Sequence, residues 1–256
     1  KKVFDPDQPM NEMDFHDTKS ILNYLKEIPA NRRKTVLSAL VVLTDNKAYR
    51  DAMIGDIEDY NTEIAKQLKT KTQKENWLDT DFLQKKLEEY KKNAELLYRK
   101  KTLTQTDLQE IQNYILLVMY SGEYIPPRRA KDFVDFRISE INKKTDNYLE
   151  KGELVFNSYK TSSTYGQQKV QIPIKMRNIL KKWINVNPTK FLLFDKNESP
   201  LTSVKLNQRL NKIFDNKKIS VNALRHTFLT DKYKNITNDL SDMGTSLNMA
   251  TTYIKK

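Results

Sequence analysis

Apolar residues recur at helical spacing through most of the first hundred residues. Asp17 or Thr18 can cap the first helix, and Pro29 ends it because proline is not accommodated inside a helix. The polar, lysine-rich stretch 69–80 lacks this periodicity and is predicted to be a loop. The periodic segments, and therefore the predicted helices, are residues 18–28, 31–43, 48–68 and 82–97. We expect this part of the chain to form a small helical bundle.

The next predicted helix is strongly apolar. It begins after Thr104 or Thr106, either of which is a suitable N-cap, and Gln109 completes a capping box. Ser121-Gly122 ends this helix. Pro126-Pro127 then fixes an extended approach to the following helix, because a residue before proline avoids helical dihedral angles.

A different periodicity follows. Two short β-type runs, residues 153–159 and 169–174, flank a polar loop and predict an antiparallel β-hairpin. Helical periodicity returns over residues 176–186, 203–214 and 221–233. The predicted fold class is therefore mainly α with a small antiparallel β-hairpin or sheet, α+β. Lys100-Lys101 is the predicted joint between a domain of residues 1–100 and a domain of residues 101–256.

The composition excludes several classes of protein. The chain has no cysteine, which excludes disulfide frameworks, zinc ribbons, iron–sulfur clusters and thiol nucleophiles. His16 and His226 are too few for a histidine-rich metal site. The longest apolar run, residues 114–120, is far shorter than the roughly 20 residues that span a bilayer. Since no signal-peptide pattern is found either, we expect a soluble, intracellular protein with no membrane partner.

Positive charge is concentrated in the second half of the chain. The 45 lysines and arginines exceed the 33 aspartates and glutamates by 12. Residues 1–100 hold 19 basic and 18 acidic side chains, whereas residues 101–256 hold 26 and 15. A basic surplus confined to one half indicates that this half faces a polyanion, most often nucleic acid. The alternative is a lysine-rich surface that only keeps the protein soluble.

Four segments of the second half combine residues suited to phosphate chemistry. They are residues 126–136 around Arg129, the hairpin residue Lys160, residues 222–228 around Arg225, and residues 243–246 followed by Tyr253. Arg129 stands at a predicted helix start, with Asp132 one turn later and Phe133 on the buried face. Tyr253 follows Thr245 by eight residues.

In this order, the four segments resemble the catalytic domain of the tyrosine recombinases, the phage-integrase family. The resemblance rests on the ordered set, because each segment alone occurs by chance in many proteins. It implies a tyrosine-recombinase catalytic domain over residues 101–256, preceded over residues 1–100 by the family's helical, DNA-binding core-binding domain. The proline-rich approach to Arg129 is similar to that in integrases of large DNA viruses and their satellites.

The resemblance implies a site-specific DNA recombinase or integrase that needs no cofactor, metal or small-molecule substrate. Arg129 and Arg225 would hold the non-bridging oxygens of a DNA phosphate through forked donors. Lys160 would protonate the leaving 5′-oxygen, and Tyr253 would attack the phosphorus to form a 3′-phosphotyrosyl link. The implied partners are double-stranded DNA and a homotetramer assembled on paired sites. The implied location is wherever target DNA lies, in the nucleus, cytoplasm or virion.

Two positions depart from the family's pattern. The family usually has histidine where Asn222 stands, and histidine or tryptophan where Thr245 stands. Asparagine can donate a hydrogen bond to a phosphate, but it cannot act as a general base near neutral pH. Thr245 keeps one hydroxyl donor and is also a natural turn or cap residue. An enzyme with these substitutions would be slower or differently tuned, or would have lost activity.

Simpler roles stay open for several of these residues. Arg128 is a rival of Arg129 for the first phosphate contact, and Tyr233 is a rival of Tyr253 for the nucleophile. Asn222 is equally well explained as the N-cap of the helix that it enters.

Two other functions also stay open. A recombinase relative that keeps the arginines but no longer cuts would be a DNA-binding protein, and Asn222 and Thr245 favour this alternative. A metal-dependent nuclease or transposase would use carboxylates such as Asp132, Asp135 and Asp231. EDTA would abolish strand cleavage by the metal-dependent enzyme and would leave a tyrosine mechanism unaffected.

Overall fold

The chain divides into two compact units, Lys1–Lys71 and Thr72–Lys256. The structure, a computed structural model, describes residues 15–66 and 68–243, apart from the side chains of residues 237, 238 and 241. The first unit carries 12 basic and 12 acidic side chains, so the surplus of 12 positive charges lies wholly in the second. The joint predicted at Lys100-Lys101 falls within the second of these units, where the helix before it packs into the core. A functional division into residues 1–100 and 101–256 stays a prediction.

The first unit is a bundle of helices, as its apolar periodicity predicted. Its helices are α1 (Thr18–Leu25), α2 (Ala30–Thr44) and α3 (Lys47–Ala65). Asp17 caps α1 by accepting a hydrogen bond from the backbone N–H of Ser20. Asp56 on α3 is buried, and Arg33 on α2 donates to both of its carboxylate oxygens. This pairing supplies the counter-charge that a buried carboxylate requires. The small core comprises Ile21, Leu25, Leu37, Leu40 and Tyr49.

The second unit is built around one buried helix. The helices that follow α3 are α4 (Lys71–Glu75), α5 (Thr80–Leu97), α6 (Gln105–Tyr120), α7 (Lys131–Val134), α8 (Ser162–Tyr165), α9 (Ile174–Val186), α10 (Ser203–Ile213) and α11 (Val221–Asp242). Helix α6 is buried on nearly every side from Ile111 to Tyr120, as expected for a helix that is apolar all round. Helix α4 lies in the stretch predicted to be a loop. Within residues 15–66 and 68–243, no helix combines the length and apolar character needed to cross a bilayer.

The N-terminus of α6 differs from its prediction in one detail. Thr104 Oγ1 accepts a hydrogen bond from the backbone N–H of Asp107 at 3.2 Å, and Asp107 Oδ2 accepts one from the backbone N–H of Thr104 at 3.0 Å. The capping box therefore joins Thr104 to Asp107, and the prediction that Gln109 completes it is wrong. Lys100 donates to the other oxygen of Asp107 at 2.7 Å.

The sheet has three antiparallel strands in the order β1 (Tyr148–Glu150), β2 (Glu153–Phe156) and β3 (Gln168–Gln171). Leu154 pairs with both Leu149 and Val170 across the sheet. The predicted hairpin is thus confirmed with shorter strands, and β1 is an additional strand. The fold class is mainly α with a small antiparallel sheet, as predicted.

Helix α11 packs closely against the end of α6. Gly122 has a φ of +83°, and a Cβ atom on it would lie 2.5 Å from Phe228 Cδ2. Only glycine allows both this left-handed backbone and this close approach. Thr227 Oγ1 donates to the backbone carbonyl of Leu78 at 3.2 Å and fixes the same helix from another side.

Candidate phosphate-binding site

Arg128 is partly buried and has several partners within the protein. Its guanidinium carbon lies 4.0 Å from the ring centroid of Phe156, its Nε donates to Asp132 Oδ2 at 2.8 Å, and its Nη2 donates to Gln168 Oε1 at 3.0 Å. Asp132 is only 2% exposed, so the guanidinium supplies the counter-charge that this carboxylate needs. Arg128 therefore connects α7 to strands β2 and β3.

Arg129 has the opposite environment. Its side chain is exposed and makes no hydrogen bond or ion pair with any residue that the structure describes. The five N–H donors of its guanidinium are therefore available to an anion. Of the two rival arginines, Arg129 is the one whose guanidinium donors have no partner among the described residues.

Asn147 joins α7 to the turn that follows β2. Its Nδ2 donates to the backbone carbonyls of Asp132 at 2.9 Å and Ser158 at 2.8 Å. Its Oδ1 accepts from the backbone N–H groups of Asn157 and Ser158, both at 2.8 Å. All the usual hydrogen-bonding capacity of the side-chain amide is used. One buried side chain thus holds together the segments that carry Arg129 and Lys160.

Lys160 lies two residues beyond Ser158, in the turn after β2. Its side chain is exposed and has no carboxylate partner in the described ranges. The preceding residue, Tyr159, is buried, and its hydroxyl donates to the backbone carbonyl of Gly166 at 2.7 Å. The backbone beneath Lys160 is therefore fixed, whereas its ammonium group is free.

Arg225 lies in the first turns of α11. Ser220 Oγ accepts a hydrogen bond from the backbone N–H of Ala223 at 3.2 Å, so Ser220 supplies the capping bond that the sequence attributed to Asn222. Asn222 is exposed, and its Oδ1 accepts a long hydrogen bond of 3.4 Å from Arg225 Nη1. Arg225 is half-buried and has no ion pair with a described carboxylate.

A cavity of about 270 Å³ opens beside this helix start. Asn222 and His226 line it on the side of α11, and Asn76 and Trp77 line it on the side of the segment after α4. Asn76 Oδ1 accepts from the backbone N–H of Lys218 at 2.7 Å, which connects the two sides. The lining combines neutral polar side chains with Lys218 and contains no carboxylate that would repel an anion.

The contact of Phe228 with Gly122 connects the helix that carries Arg225 to the segment that carries Arg129. Phe228 follows Arg225 by three residues, and Gly122 precedes Arg129 by seven. The helix of Arg225 is therefore packed against the segment that leads to Arg129. Asn147 also connects that segment, through hydrogen bonds, to the turn that carries Lys160.

Two of the predicted site residues, Thr245 and Tyr253, lie outside the described residues. The rival nucleophile Tyr233 is described and lies on the exposed part of α11. Of the carboxylates considered for a metal site, Asp132 is buried against Arg128, whereas Asp135 and Asp231 are exposed. In the described part of the chain, no group of three or more histidine, aspartate or glutamate side chains is arranged to hold a metal ion.

The residues that hold the segments of Arg129 and Lys160 together were not predicted from the sequence. Asn147 was not singled out, and Arg128 was considered only as a rival phosphate ligand. The aspartate four residues after Arg128 was a usable signal, because residues at this spacing face each other on a helix. Asn147 carried no such signal, since its partners are backbone groups 10 to 15 residues away.

Comparison with known proteins found similarity among solved structures. No family model and no curated protein matches the chain. Among solved structures, a crystal structure of a lambda integrase (75-356) dimer bound to a COC′ core site is similar to this chain, with a TM-score of 0.45 and 15% sequence identity. The alignment covers 100% of this chain and 86% of that one.

Proposed function

We propose that this protein cleaves and rejoins DNA strands through a 3′-phosphotyrosyl intermediate, as a site-specific recombinase or integrase. One observation carries the proposal. Arg129 and Lys160 are cations without carboxylate partners among the described residues, and they stand on two segments that Asn147 holds together. A fixed backbone below two free cations suits an anion that comes from outside the protein.

The charge of the second unit favours DNA as that anion. This unit contains Arg129, Lys160 and Arg225 and carries the entire surplus of 12 positive charges. A surplus of this size attracts a polyanion and makes phosphate contacts the main source of affinity. We assign Arg129 and Arg225 to the non-bridging oxygens of one phosphate, because forked guanidinium donors suit that geometry.

The proposed reaction conserves the phosphodiester. The phenol oxygen of Tyr253 loses its proton and bonds to phosphorus, while the bond from phosphorus to the 5′-oxygen breaks. Lys160 gives its proton to this oxygen, which leaves as a hydroxyl, and the proton lost by the phenol restores the Lys160 ammonium through solvent. The reverse sequence, with the 5′-hydroxyl of a second strand, rejoins the DNA.

The experiment begins by letting the protein select its site from a pool of random DNA duplexes. The selected duplex is then prepared with a nick next to the cleavage position, so that the short 5′-hydroxyl strand diffuses away and the covalent adduct persists. We expect a protein–DNA adduct stable in detergent, formed equally in EDTA, and absent with Tyr253→Phe. An adduct with Tyr253→Phe would refute the assignment of the nucleophile.

A second candidate function is DNA binding without cleavage. Asn222 favours it, because an exposed amide can bind phosphate but cannot accept a proton as a general base. In the same experiment this candidate predicts a selected DNA sequence but no covalent adduct from the wild-type protein. Cleavage that EDTA abolishes would instead indicate a metal-dependent nuclease.

A further inference from the structure

We infer that Asn147 is a positioning residue that fixes Lys160 relative to Arg129. The catalytic consequence of this inference rests on the proposed function, whereas its structural content can be tested without any reaction. None of the hydrogen bonds of Asn147 goes to Arg129 or Lys160. Instead, Asn147 holds the backbone segments that carry these two residues.

The geometry leaves little freedom between those segments. Asn147 bonds to the carbonyl of Asp132, three residues after Arg129, and to both backbone groups of Ser158, two residues before Lys160. The side chain is only 5% exposed, so water does not readily replace these bonds.

The chemistry of the bridge requires asparagine. Two donors must reach two carbonyls while one oxygen accepts from two N–H groups, and only a primary amide offers both. Aspartate at this position would keep the acceptor but would place its negative charge against the carbonyl oxygens of Asp132 and Ser158. Glutamine would carry the same amide but is one methylene longer.

Other bonds keep the turn folded when the bridge is lost. The side chain of Asn157 donates to the backbone carbonyls of Lys143 at 3.1 Å and Asp146 at 2.6 Å, independently of Asn147. The buried Tyr159 anchors the turn through its hydroxyl. A change at Asn147 should therefore loosen the position of Lys160 without unfolding the unit.

Looser positioning should impair proton transfer specifically. A general acid must come within about 2.6–3.2 Å of the leaving oxygen. A displacement of about 1 Å can lower a rate by about 10²-fold. Phosphate binding by Arg129 depends less on this distance, because DNA affinity is spread over many contacts.

The chain offers a matched control. Asn187 makes a bridge of the same kind outside the site: its Nδ2 donates to the carbonyl of Phe191 at 2.9 Å and its Oδ1 accepts from the N–H of Thr189 at 2.8 Å. Asn147→Asp and Asn187→Asp therefore make the same chemical change in two places. If Asn147→Asp does not fold, Asn147→Ser, which keeps one donor and one acceptor, takes its place with the same expectations.

The first measurement is the distance between two spin labels on Lys131→Cys and Ser163→Cys. Both positions are exposed, and the chain has no native cysteine that would take up label. We expect a narrow distance distribution in the labelled parent protein and in Asn187→Asp, and a broad or shifted one in Asn147→Asp. An unchanged distribution in Asn147→Asp overturns the inference, whether or not the protein cuts DNA.

The second measurement separates positioning of the acid from a general defect. The selected DNA is made with sulfur in place of the bridging 5′-oxygen, because a thiolate leaves without being protonated. We expect Asn147→Asp to cleave normal DNA about 10²-fold more slowly than wild type and the sulfur-containing DNA at nearly the wild-type rate. Equal slowing on both substrates overturns the inference. If the wild-type protein cleaves neither DNA, the proposed function fails, and the spin-label distances alone decide the role of Asn147.

Discussion

Arg128 and Arg129 are neighbours in the chain but occupy opposite environments. Arg128 lies over Phe156 and is hydrogen-bonded to the buried carboxylate of Asp132, whereas Arg129 is exposed and has no described partner. One arginine thus holds the local structure, and its neighbour presents a free cation at the same place. The two can be distinguished experimentally because the same substitution should affect different properties.

Replacing Arg128 should cost stability. Arg128→Met leaves the 2% exposed carboxylate of Asp132 without its counter-charge, so we expect the free energy of unfolding to fall by about 3–5 kcal/mol. Arg129→Met should change it by no more than about 0.5 kcal/mol, because the side chain is exposed. Urea denaturation of both variants measures the difference. Equal losses would mean that the two environments have been assigned incorrectly.

Replacing Arg129 should cost cleavage. Arg129→Met removes a donor to the non-bridging oxygens, and the loss of one such donor lowers a rate by about 10²–10³-fold. Adduct formation on the nicked duplex at saturating protein measures this effect. Lys91→Met is the control, because the Lys91 ammonium is already bound to Glu88. A full cleavage rate in Arg129→Met would exclude this residue from the site.

DNA binding should depend steeply on salt. If the protein makes six to ten phosphate contacts, its affinity should fall by about 10³–10⁵ between 50 and 200 mM salt. Lys160→Met should reduce the slope of log K against log salt concentration by about 0.9, the value for one lost phosphate contact. Fluorescence anisotropy with a labelled duplex measures both. An affinity that barely changes with salt would count against DNA as the partner.

Because α11 approaches Gly122 closely, we expect one added methyl group at this position to lower the stability of the protein. Gly122→Ala should destabilise the protein by about 1–3 kcal/mol, because alanine disfavours a φ of +83° and its Cβ would collide with Phe228. Gly55→Ala is the control: Gly55 is inside α3, and beyond the backbone of its own helix nothing lies within 4 Å of its Cβ position. There alanine should stabilise the helix by about 0.5–1 kcal/mol. Denaturation curves that show no loss of stability in Gly122→Ala would contradict the packing of α11 against Gly122.

Asp107 should make stability depend on pH in the acid range. Hydrogen bonds from the Lys100 ammonium, and then from the backbone and hydroxyl of Thr104, lower the pKa of Asp107 from 3.8 to about 2. Because the pKa in the folded state is the lower one, ionised Asp107 stabilises the protein fully above about pH 4, and this contribution disappears as pH falls towards 2.

Melting temperatures of the wild type and Asp107→Asn check this expectation. The wild type should melt higher at pH 5, and the difference should shrink between pH 4 and 2. Asp135→Asn is the control variant, because Asp135 is an exposed carboxylate without an ion pair among the described residues, so its removal should change the melting temperature little. A constant difference for Asp107→Asn across the range would refute the role of its charge.

Long periodic segments could be predicted from the sequence, and short ones could not. The buried helix α6 was found because its apolar pattern runs over many residues, whereas β1, α8 and α4 have only three to five residues each. The capping box was misplaced because Thr104–Asp107 and Thr106–Gln109 both fit the local pattern, and only the true helix start decides between them. The unit boundary depends on where α5 packs, which local charge at Lys100-Lys101 does not reveal.

The candidate site, too, could be predicted from the sequence only in part. Residue type and order were enough to single out Arg129, Lys160 and Arg225. They were not enough to show that Ser220, and not Asn222, forms the capping hydrogen bond of α11, because both residues are good helix caps. Asn147 could not be found at all, since a side chain that binds only backbone groups leaves no complementary residue type in the sequence.

The most direct measurement is a crystal structure of the protein bound to its selected DNA. The proposal predicts that the guanidinium groups of Arg129 and Arg225 contact the non-bridging oxygens of one phosphate at about 2.7–2.9 Å. Lys160 should lie within hydrogen-bonding distance of the 5′-oxygen of that same phosphate, with Arg128 still bound to Asp132. Contacts of Arg129, Lys160 and Arg225 with different phosphates would contradict a shared catalytic site and leave only a DNA-binding protein.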